Sequence, residues 1–306
     1  MTKEYIHSYP NFCEGRRPEV IREIVDAMAS EPGVRLVLAD SDADFNRTNA
    51  EIIGEAEPLR RAIMAMAERV YALIDMEDYS GAHPHIGALD LVPFYPLHGS
   101  SVEECVALAE EIGRDLHERF GVPIYFSGEN ARSPERRDLQ FIRRGMYKGL
   151  KEVAHLPERA PDIGPARLHP RAGATIVAAY ATFMVGFNVM LGTDDVAIAK
   201  KIARMVSGTH GGFSTVRAAG MPQSQRGGTT VSMDVWDPVK TPLHRIYGVI
   251  EAEAERLGVP VTGSVICGTV PLDALVDCAE YSLRLQEFDR SMIVENQLFG
   301  LSADAS

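Results

Sequence analysis

Apolar residues recur every three or four positions in several segments of the chain, which is the spacing of an amphipathic helix. Residues 19–29 show this pattern behind Pro18, a residue suited to the first helical turn. Residues 57–74 repeat it, and Ser101 with Glu104 forms a capping-box pattern ahead of a third apolar stripe. Two further amphipathic helices are predicted at residues 241–257 and 271–285.

Short runs rich in β-forming residues lie between the predicted helices. In the first half they cover residues 35–40, 89–94 and 122–126, and their alternation with helices predicts a mixed α/β sheet. The second half gives strand, helix, strand, strand, helix and strand over residues 185–191, 194–206, 214–218, 229–235, 241–257 and 261–267. This β-α-β-β-α-β order is that of a ferredoxin-like fold.

The length of 306 residues exceeds what one hydrophobic core usually serves, so two domains are expected. Residues 155–173 contain four prolines and two glycines and show no apolar periodicity. Such a composition is typical of a connector. We therefore predict an N-terminal domain over residues 1–175 and a C-terminal domain over residues 176–306.

Composition narrows the class of protein. Apolar residues make up 45% of the chain and charged residues 24%, which is the balance of a globular protein. The net charge of −12 repels phosphate backbones and anionic lipids, so we expect neither a nucleic-acid nor a membrane partner. The four cysteines form no C-x-x-C pair, and no signal-like or membrane-spanning apolar run is found, so a cytoplasmic protein is expected.

The most unusual run is residues 81–90, in which two histidines flank Pro84 just before a predicted strand. The proline favours an extended His83, and a histidine suits proton transfer because its pKa lies near neutrality. His83 and His85, two residues apart, could instead share a metal ion, although no third ligand is evident nearby. Packing of both rings in a loop is the third interpretation, and the spacing alone favours it.

Three other segments combine polar residues with the ends of predicted elements. Residues 40–48 carry three aspartates after a strand and could orient a histidine, or form a solvated turn. Residues 9–17 form a glycine-containing loop before a helix. An anion could bind there and Cys13 could be an activated thiolate, or the segment is an ordinary helix start. Seven basic residues within 129–151 could hold an anionic ligand tail or a partner, or form a solvated helix face.

Taken together, these segments resemble the glutamate formiminotransferase family, and the chain is identified as a member of it. Further matches follow in the same order along nearly the whole chain. The matching residues are Pro10 to Arg16, Asn46 to Thr48, His83 to Phe94, Gly164 to Arg167, Gly173 to Thr175, Phe187 to Val189, Val231 to Met233 and Val270 to Leu272.

The resemblance implies an N-terminal α/β subdomain, a ferredoxin-like C-terminal subdomain, a folate site in a groove between them, and a homodimer. It also implies the transfer of a formimino group from N-formimino-L-glutamate to tetrahydrofolate, within histidine degradation. Tetrahydrofolate is the co-substrate, and no metal is expected. Folate N5 attacks the amidine carbon and glutamate leaves as an amine, so one group must take a proton from N5 and return one to the leaving nitrogen.

Site residues follow from the same resemblance. His83 matches the family's catalytic histidine and is assigned as general base and acid, and Asp40 is assigned as its electrostatic partner. The residues assigned to the substrate or folate shell are Asn11, Arg16, Asn46, Arg47, His85 and Tyr180.

Several positions depart from the family pattern. His85 and Tyr180 stand where the family has arginine, which loses a bidentate clamp for carboxylates. Phe45 stands for a histidine and Ser127 for a tyrosine, and Cys13 stands for the motif serine. These changes leave three alternatives open: a paralogue with another formimino donor, a non-catalytic folate or small-ligand binding protein, and a metal-dependent hydrolase that uses both histidines and an aspartate.

Overall fold

Two units share the chain in this computed structural model, which describes residues 4–97, 99–223 and 227–299. The first unit runs to Ala181 and the second begins at Thr182. Residues 176–181, which the sequence placed in the second domain, therefore belong to the first unit. The physical reason is a strand at Thr175–Ala179 that pairs with strands of the first unit on both sides.

The first unit is built on a mixed seven-stranded sheet. Its strands are β1 (Ile6–Ser8), β2 (Asn11–Phe12), β3 (Val34–Asp42), β4 (Arg47–Gly54), β5 (Leu89–Pro96), β6 (Ile124–Gly128) and β7 (Thr175–Ala179). Antiparallel pairing joins β3 to β4, and both β1 and β2 lie between β4 and β5. Parallel pairing joins β5 to β7 and β7 to β6. The predicted mixed α/β sheet is confirmed.

Helices bury one face of this sheet. They are α1 (Pro18–Ala29), α2 (Ala56–Leu73), α3 (Val102–Phe120), α4 (Leu139–Arg143) and α5 (Met146–Val153). Apolar residues of the first three helices and of the strands form one continuous core, to which β6 and β7 contribute consecutive positions because both of their faces are buried. The predicted capping box is confirmed at α3, where the Glu104 amide donates to Ser101 Oγ at 3.2 Å and the Ser101 amide donates to Glu104 Oε2 at 2.6 Å. Helix α3 ends at Gly121, whose φ of 69° few other residues adopt without strain.

The proline-rich segment 155–173 lies inside the first unit, so its prediction as a domain connector is wrong. The amides of Asp162 and Ile163 both donate to the carbonyl of Ile124 in β6, at 2.8 and 3.2 Å. The Phe126 amide donates to the Asp162 carboxylate at 2.7 Å. Prolines remove helical and strand periodicity from a segment, but they do not prevent its remaining backbone groups from bonding to a neighbouring strand.

The second unit confirms the predicted β-α-β-β-α-β order. Its elements are β8 (Val185–Leu191), α6 (Val196–Val206), β9 (Val216–Pro222), β10 (Thr229–Val235), α7 (Leu243–Arg256), β11 (Val261–Cys267), α8 (Leu272–Leu283) and α9 (Val294–Phe299). The sheet is antiparallel in the order β11-β8-β10-β9, and an apolar core lies between it and the helices. Within the described ranges, no helix of either unit is long and apolar enough to cross a membrane.

Candidate active site

The loop that carries the two histidines joins α2 to β5 and is fixed at its C-terminal end. The Cys13 amide donates to the carbonyl of Ala88 at 2.8 Å, and the Ala88 amide donates to the carbonyl of Ala172 at 2.9 Å. Gly87 passes close to the segment around Ala174, where a Cβ on Gly87 would lie 2.1 Å from the Ala174 carbonyl oxygen. Only glycine fits at this crossing, and the loop is therefore held in one path.

His83 lies in this loop as a neutral base. Its Nδ1 lies 2.7 Å from the carbonyl of Pro84, and because a carbonyl only accepts, this contact favours the tautomer with the hydrogen on Nδ1 and the lone pair on Nε2. The Arg47 guanidinium contacts the ring nitrogens. Burial, together with the positive charges of Arg47 and Arg143, lowers the pKa of His83 to about 4, against a smaller opposing effect of Asp90. The imidazole is therefore unprotonated at neutral pH.

Asp90 and Arg143 form a buried ion pair beside this loop. Arg143 Nη2 donates to Asp90 Oδ2 at 2.5 Å, and the Ile86 amide donates to Asp90 Oδ1 at 2.7 Å. The two side chains are only 2% and 6% exposed. Sequence reasoning did not assign either residue to the site. The available signal was a carboxylate in the otherwise apolar run of β5.

The basic segment 129–151 is occupied largely by ion pairs of the protein itself. Arg136 Nη1 donates to Asp162 Oδ1 at 2.6 Å, and both side chains are nearly buried. Arg137 pairs with Glu129, Lys151 pairs with Glu77, and Arg143 pairs with Asp90 as described above. At these residues the positive charge supports the fold of the first unit, so the interpretation as a free anionic-ligand surface does not hold for them.

Asn46 and Arg16 connect the loops around His83. Asn46 Oδ1 accepts from the Gly15 amide at 2.9 Å, and Asn46 Nδ2 donates to the carbonyl of Ser80 at 3.0 Å. Arg16 Nε donates to the carbonyl of Ala43 at 2.8 Å. Asn46 adopts a φ of 50°, a left-handed conformation that asparagine tolerates better than most residues. The structure thus brings three predicted residues, Arg16, Asn46 and Arg47, to the loop that carries His83.

Asp40 and Asn11 lie in a cross-strand row on β3, β4 and β2. Asp40 stands opposite Asn49, and Asn49 stands opposite Asn11, so the three share one face of the sheet. Asp40 is exposed, whereas Asn11 is buried and its Oδ1 has no hydrogen-bond partner among the described residues. In the same ranges no hydrogen bond or ion pair joins Asp40 to His83. The carboxylate that acts on the His83 ring is that of Asp90, and the role of Asp40 stays a prediction.

His85 and Tyr180 each pack against an aromatic side chain of the first unit. His85 Nδ1 donates to the carbonyl of His83 at 2.6 Å, and its ring meets Tyr79 edge-on at 4.7 Å between centroids. Tyr180 follows β7 and stacks on Tyr95 at 5.3 Å. Burial raises the pKa of Tyr180 to about 12, against smaller opposing effects of Ser127 and Arg143. Both residues are thus held by aromatic neighbours in the first unit.

Cys13 is a buried thiol. Its Sγ donates to the carbonyl of Gly87 at 3.2 Å, and the side chain is 2% exposed. Burial, followed by the negative charge of Asp90, raises the pKa of Cys13 well above its ordinary range. The interpretation as an activated thiolate is therefore wrong, and Cys13 instead helps to hold the histidine loop.

No group of three or more histidine, cysteine, aspartate or glutamate side chains is arranged to hold a metal ion in the part of the chain that the structure describes. The two histidines of the loop have different ring partners: His83 meets Arg47 and Phe45, and His85 meets Tyr79. These contacts do not place the two histidine rings together as ligands of one metal ion.

Comparison with known proteins gives the family. A model described as "Formiminotransferase domain, N-terminal subdomain" matches residues 5–180, and one described as "Formiminotransferase domain" matches residues 186–303. The chain belongs to the formiminotransferase family. The predicted membership is confirmed, and the two matched ranges meet where the formiminotransferase fold divides into its two units.

Relatives of this formiminotransferase cover almost all of it. "Glutamate formimidoyltransferase" of Streptococcus pyogenes serotype M1 is 36% identical over 96% of this chain and 99% of the relative. "Glutamate formimidoyltransferase" of Thermoplasma acidophilum is 35% identical over 96% and 97% of the two chains. "Formimidoyltransferase-cyclodeaminase" of Gallus gallus is 37% identical over 92% of this chain but only 53% of the relative.

Proposed function

We propose that this protein transfers the formimino group of N-formimino-L-glutamate to tetrahydrofolate and yields 5-formiminotetrahydrofolate and glutamate. The observation that carries the proposal is His83, a neutral imidazole fixed in a family motif and in contact with Arg47. The two nearly full-length relatives named glutamate formimidoyltransferase support the same reaction.

His83 serves as base and then as acid in this reaction. A C–N bond forms between folate N5 and the formimino carbon, and the bond from that carbon to the glutamate nitrogen breaks. Nε2 of His83 takes the proton from N5 and returns it to the leaving nitrogen, so the ring ends as it began. Because Arg47 and Arg143 disfavour the imidazolium, the protonated ring is a strong acid, which favours the second transfer.

The charge balance of the site suits a donor that places a carboxylate beside Arg47. Two guanidiniums, those of Arg47 and Arg143, stand against the buried carboxylate of Asp90. Burial and the charge of Arg143 lower the pKa of Arg47 to about 10, so it remains a cation at neutral pH. A donor carboxylate beside Arg47 would offset this charge and bring the pKa of His83 closer to the working pH, where a base is most effective.

The remaining assignments rest on the family motif. Asn11 and Asp40 share one face of the sheet. We assign Asn11 to the substrate or folate shell and Asp40 as the electrostatic partner of His83. From family membership we also propose a cytoplasmic homodimer that works in histidine degradation. Analytical ultracentrifugation of the purified protein tests the dimer, for which a single species of twice 33.5 kDa is expected.

A second candidate is the same transfer from a different formimino donor. It is favoured by His85 and Tyr180, which stand where the family has arginine and are occupied by Tyr79 and Tyr95. Neither side chain offers the bidentate pair of donors that a guanidinium gives to a carboxylate. A donor with fewer carboxylates than formiminoglutamate would need fewer such clamps.

The test is an assay of purified protein with tetrahydrofolate and formiminoglutamate, with His83→Gln as the control. We expect turnover by the natural protein and a loss of about 10²- to 10⁴-fold in the variant, because proton transfer contributes that much. Absence of turnover with tetrahydrofolate still bound in calorimetry moves the search to other formimino donors. Absence of both overturns the transferase proposal in favour of a binding protein or, if elemental analysis finds a metal, a metal-dependent hydrolase.

A further inference from the structure

The Asp90–Arg143 ion pair ties three parts of the first unit together. Asp90 is the second residue of β5, Arg143 is the last residue of α4, and the Ile86 amide belongs to the histidine loop. Both carboxylate oxygens of Asp90 are used, one by the loop and one by the guanidinium. A fully occupied, buried carboxylate has a single orientation, and it passes that orientation to whatever it binds.

The loop between this anchor and His83 is short and stiff. Ile86 lies three residues after His83, and Pro84 fixes the backbone between them. The His85 ring is bonded to the His83 carbonyl at 2.6 Å, which removes a further degree of freedom. The hydrogen bond between Asp90 and Ile86 is therefore the side-chain contact that holds this loop, beside the backbone bond from the Ala174 amide to the Ile86 carbonyl.

The same pair sets the charge around His83. The charged groups that act on the ring are Arg47 from β4, Arg143 from α4 and Asp90 from β5, together with the Pro84 carbonyl. Arg143 also acts on Arg47 and Cys13, so its charge affects several groups of the site. Two positive charges against one negative charge favour an uncharged ring.

We propose that Asp90 and Arg143 are positioning residues for His83: Asp90 holds the loop that carries the ring through the Ile86 amide, and Arg143 orients the Asp90 carboxylate and places a second guanidinium charge beside this loop. The inference rests on the proposed function, because it takes His83 to be the base. It predicts that neutralising Asp90 and neutralising Arg143 shift the pKa of His83 in opposite directions. If the pair only stabilised the fold, substituting Asp90 or Arg143 would shift the pKa of His83 in the same direction, or would not shift it.

A matched control exists in the same unit. The Arg136–Asp162 pair has a similar bond, 2.6 Å against 2.5 Å, and a similar burial, 9% and 7% exposed against 6% and 2%. Neither Arg136 nor Asp162 is among the groups that act on the His83 ring. Substituting Arg136 or Asp162 by a neutral residue breaks a buried ion pair, as substituting Asp90 or Arg143 does. It does not change a group that acts on the His83 ring.

The experiment is an NMR titration of the His83 ring in the full chain, assigned by comparison with His83→Gln. Arg143→Gln should raise the pKa of His83 by about one unit, because it removes a positive charge and leaves Asp90 unopposed. Asp90→Asn should lower it, because the carboxamide oxygen of that variant can still accept from the Ile86 amide while the negative charge is lost. Arg143→Lys should leave it in place, as should Arg136→Gln and Asp162→Asn. The inference would be overturned if variants of Arg136 and Asp162 shifted the pKa of His83 as much as variants of Asp90 and Arg143 do. It would also be overturned if the Asp90 and Arg143 variants shifted this pKa in the same direction.

The positioning role of Asp90 has a separate kinetic readout. Asp90→Ala removes the acceptor of the Ile86 amide and should reduce kcat by about 100-fold, the scale of a misplaced catalytic group, whereas Asp90→Asn should lose far less. Equal losses would show that the loop anchor is unimportant. Because the titration requires no turnover, failure of the proposed reaction in the natural protein and failure of this inference are distinguishable. If Arg143→Gln does not fold, the comparison of Asp90→Asn with Asp162→Asn still decides the electrostatic part.

Discussion

The two units of this protein bury different kinds of polar side chain. In the first unit the buried set contains charged and ionisable groups, namely His7, Glu14, Glu51, His85, Asp90, Arg136 and Arg143. In the second unit the buried polar residues within the described ranges carry only hydroxyl or amide groups, namely Ser207, Thr229, Thr230, Thr241 and Asn296. Burying a charge is costly unless it is paired, so the buried groups of the first unit need specific partners that those of the second unit do not need.

That difference separates two tasks. Several of these groups occur as hydrogen-bonded pairs, such as His7 with Glu51 at 2.6 Å and Asp90 with Arg143 at 2.5 Å. Breaking such a pair leaves a buried polar group without its partner, so the loops that carry these groups are held to the positions in which the partners meet. The second unit instead has an apolar core between a regular sheet and its helices. We therefore expect substitutions in the two units to separate effects on activity from effects on stability.

The largest expected effect on stability comes from Ile250→Ala in the second unit. Ile250 is fully buried in α7, and its truncation should lower the free energy of unfolding by about 2–5 kcal/mol. Urea unfolding followed by circular dichroism measures this loss. At a temperature where the variant is folded, kcat should equal that of the natural protein. A tenfold fall in kcat under those conditions would mean that the second unit contributes to the chemistry and not only to stability.

Gly87→Ala, in the first unit, should lower kcat more than its effect on stability explains. The new methyl group would lie 2.1 Å from the Ala174 carbonyl and 2.6 Å from the Ala172 carbonyl, so the histidine loop must move away. We expect a cost of about 1–3 kcal/mol in stability and a fall in kcat beyond what that cost explains. Gly149→Ala, on a helix of the same unit with open space around the glycine, is the control and should keep kcat unchanged.

The same contrast explains how far the sequence predicts the fold. In the second unit, apolar strands and amphipathic helices follow their periods closely, and every predicted element was confirmed within a few residues. In the first unit, β4 carries Arg47, Asn49 and Glu51 on one face, so its apolar positions are too few to indicate a strand. The strands β1 and β2 were missed because three and two residues are too short to show a period.

The candidate site was predictable where a motif carries it and not where burial decides it. His83, Asn46 and Arg47 were assigned from family motifs, and the structure brings them together. Arg143 was indistinguishable in the sequence from its basic neighbours, because only tertiary structure shows which of them is buried against a carboxylate. The sequence allowed Cys13 to be an activated thiolate because arginines lie nearby in the chain. In the structure, burial has the larger effect and raises the pKa of the thiol.

A smaller effect is the pH dependence that His83 gives to folding. Its pKa is about 4 in the folded protein, below the ordinary value of 6.5, so between these values the folded state binds fewer protons than the unfolded state. Stability is therefore fully present above pH 6.5 and is lost as the pH falls towards 4. In His83→Gln this loss should be smaller by about 1–2 kcal/mol, after a discount for the partly exposed ring. Unfolding in urea at pH 7 and pH 4.5 measures it, and His155→Gln, at an exposed histidine of the same unit, should show no such gain.

The smallest expected effect is a gain. Gly248 lies at an exposed position of α7, and a Cβ there would meet nothing within 4 Å. Gly248→Ala should raise the free energy of unfolding by about 0.5–1 kcal/mol, because alanine loses less backbone entropy on entering a helix. Urea unfolding measures this gain, and kcat should stay unchanged because no group that acts on His83 is altered. A stabilised variant with altered kcat would contradict the division of tasks between the two units, since it would show that a scaffold position of the second unit still governs the chemistry.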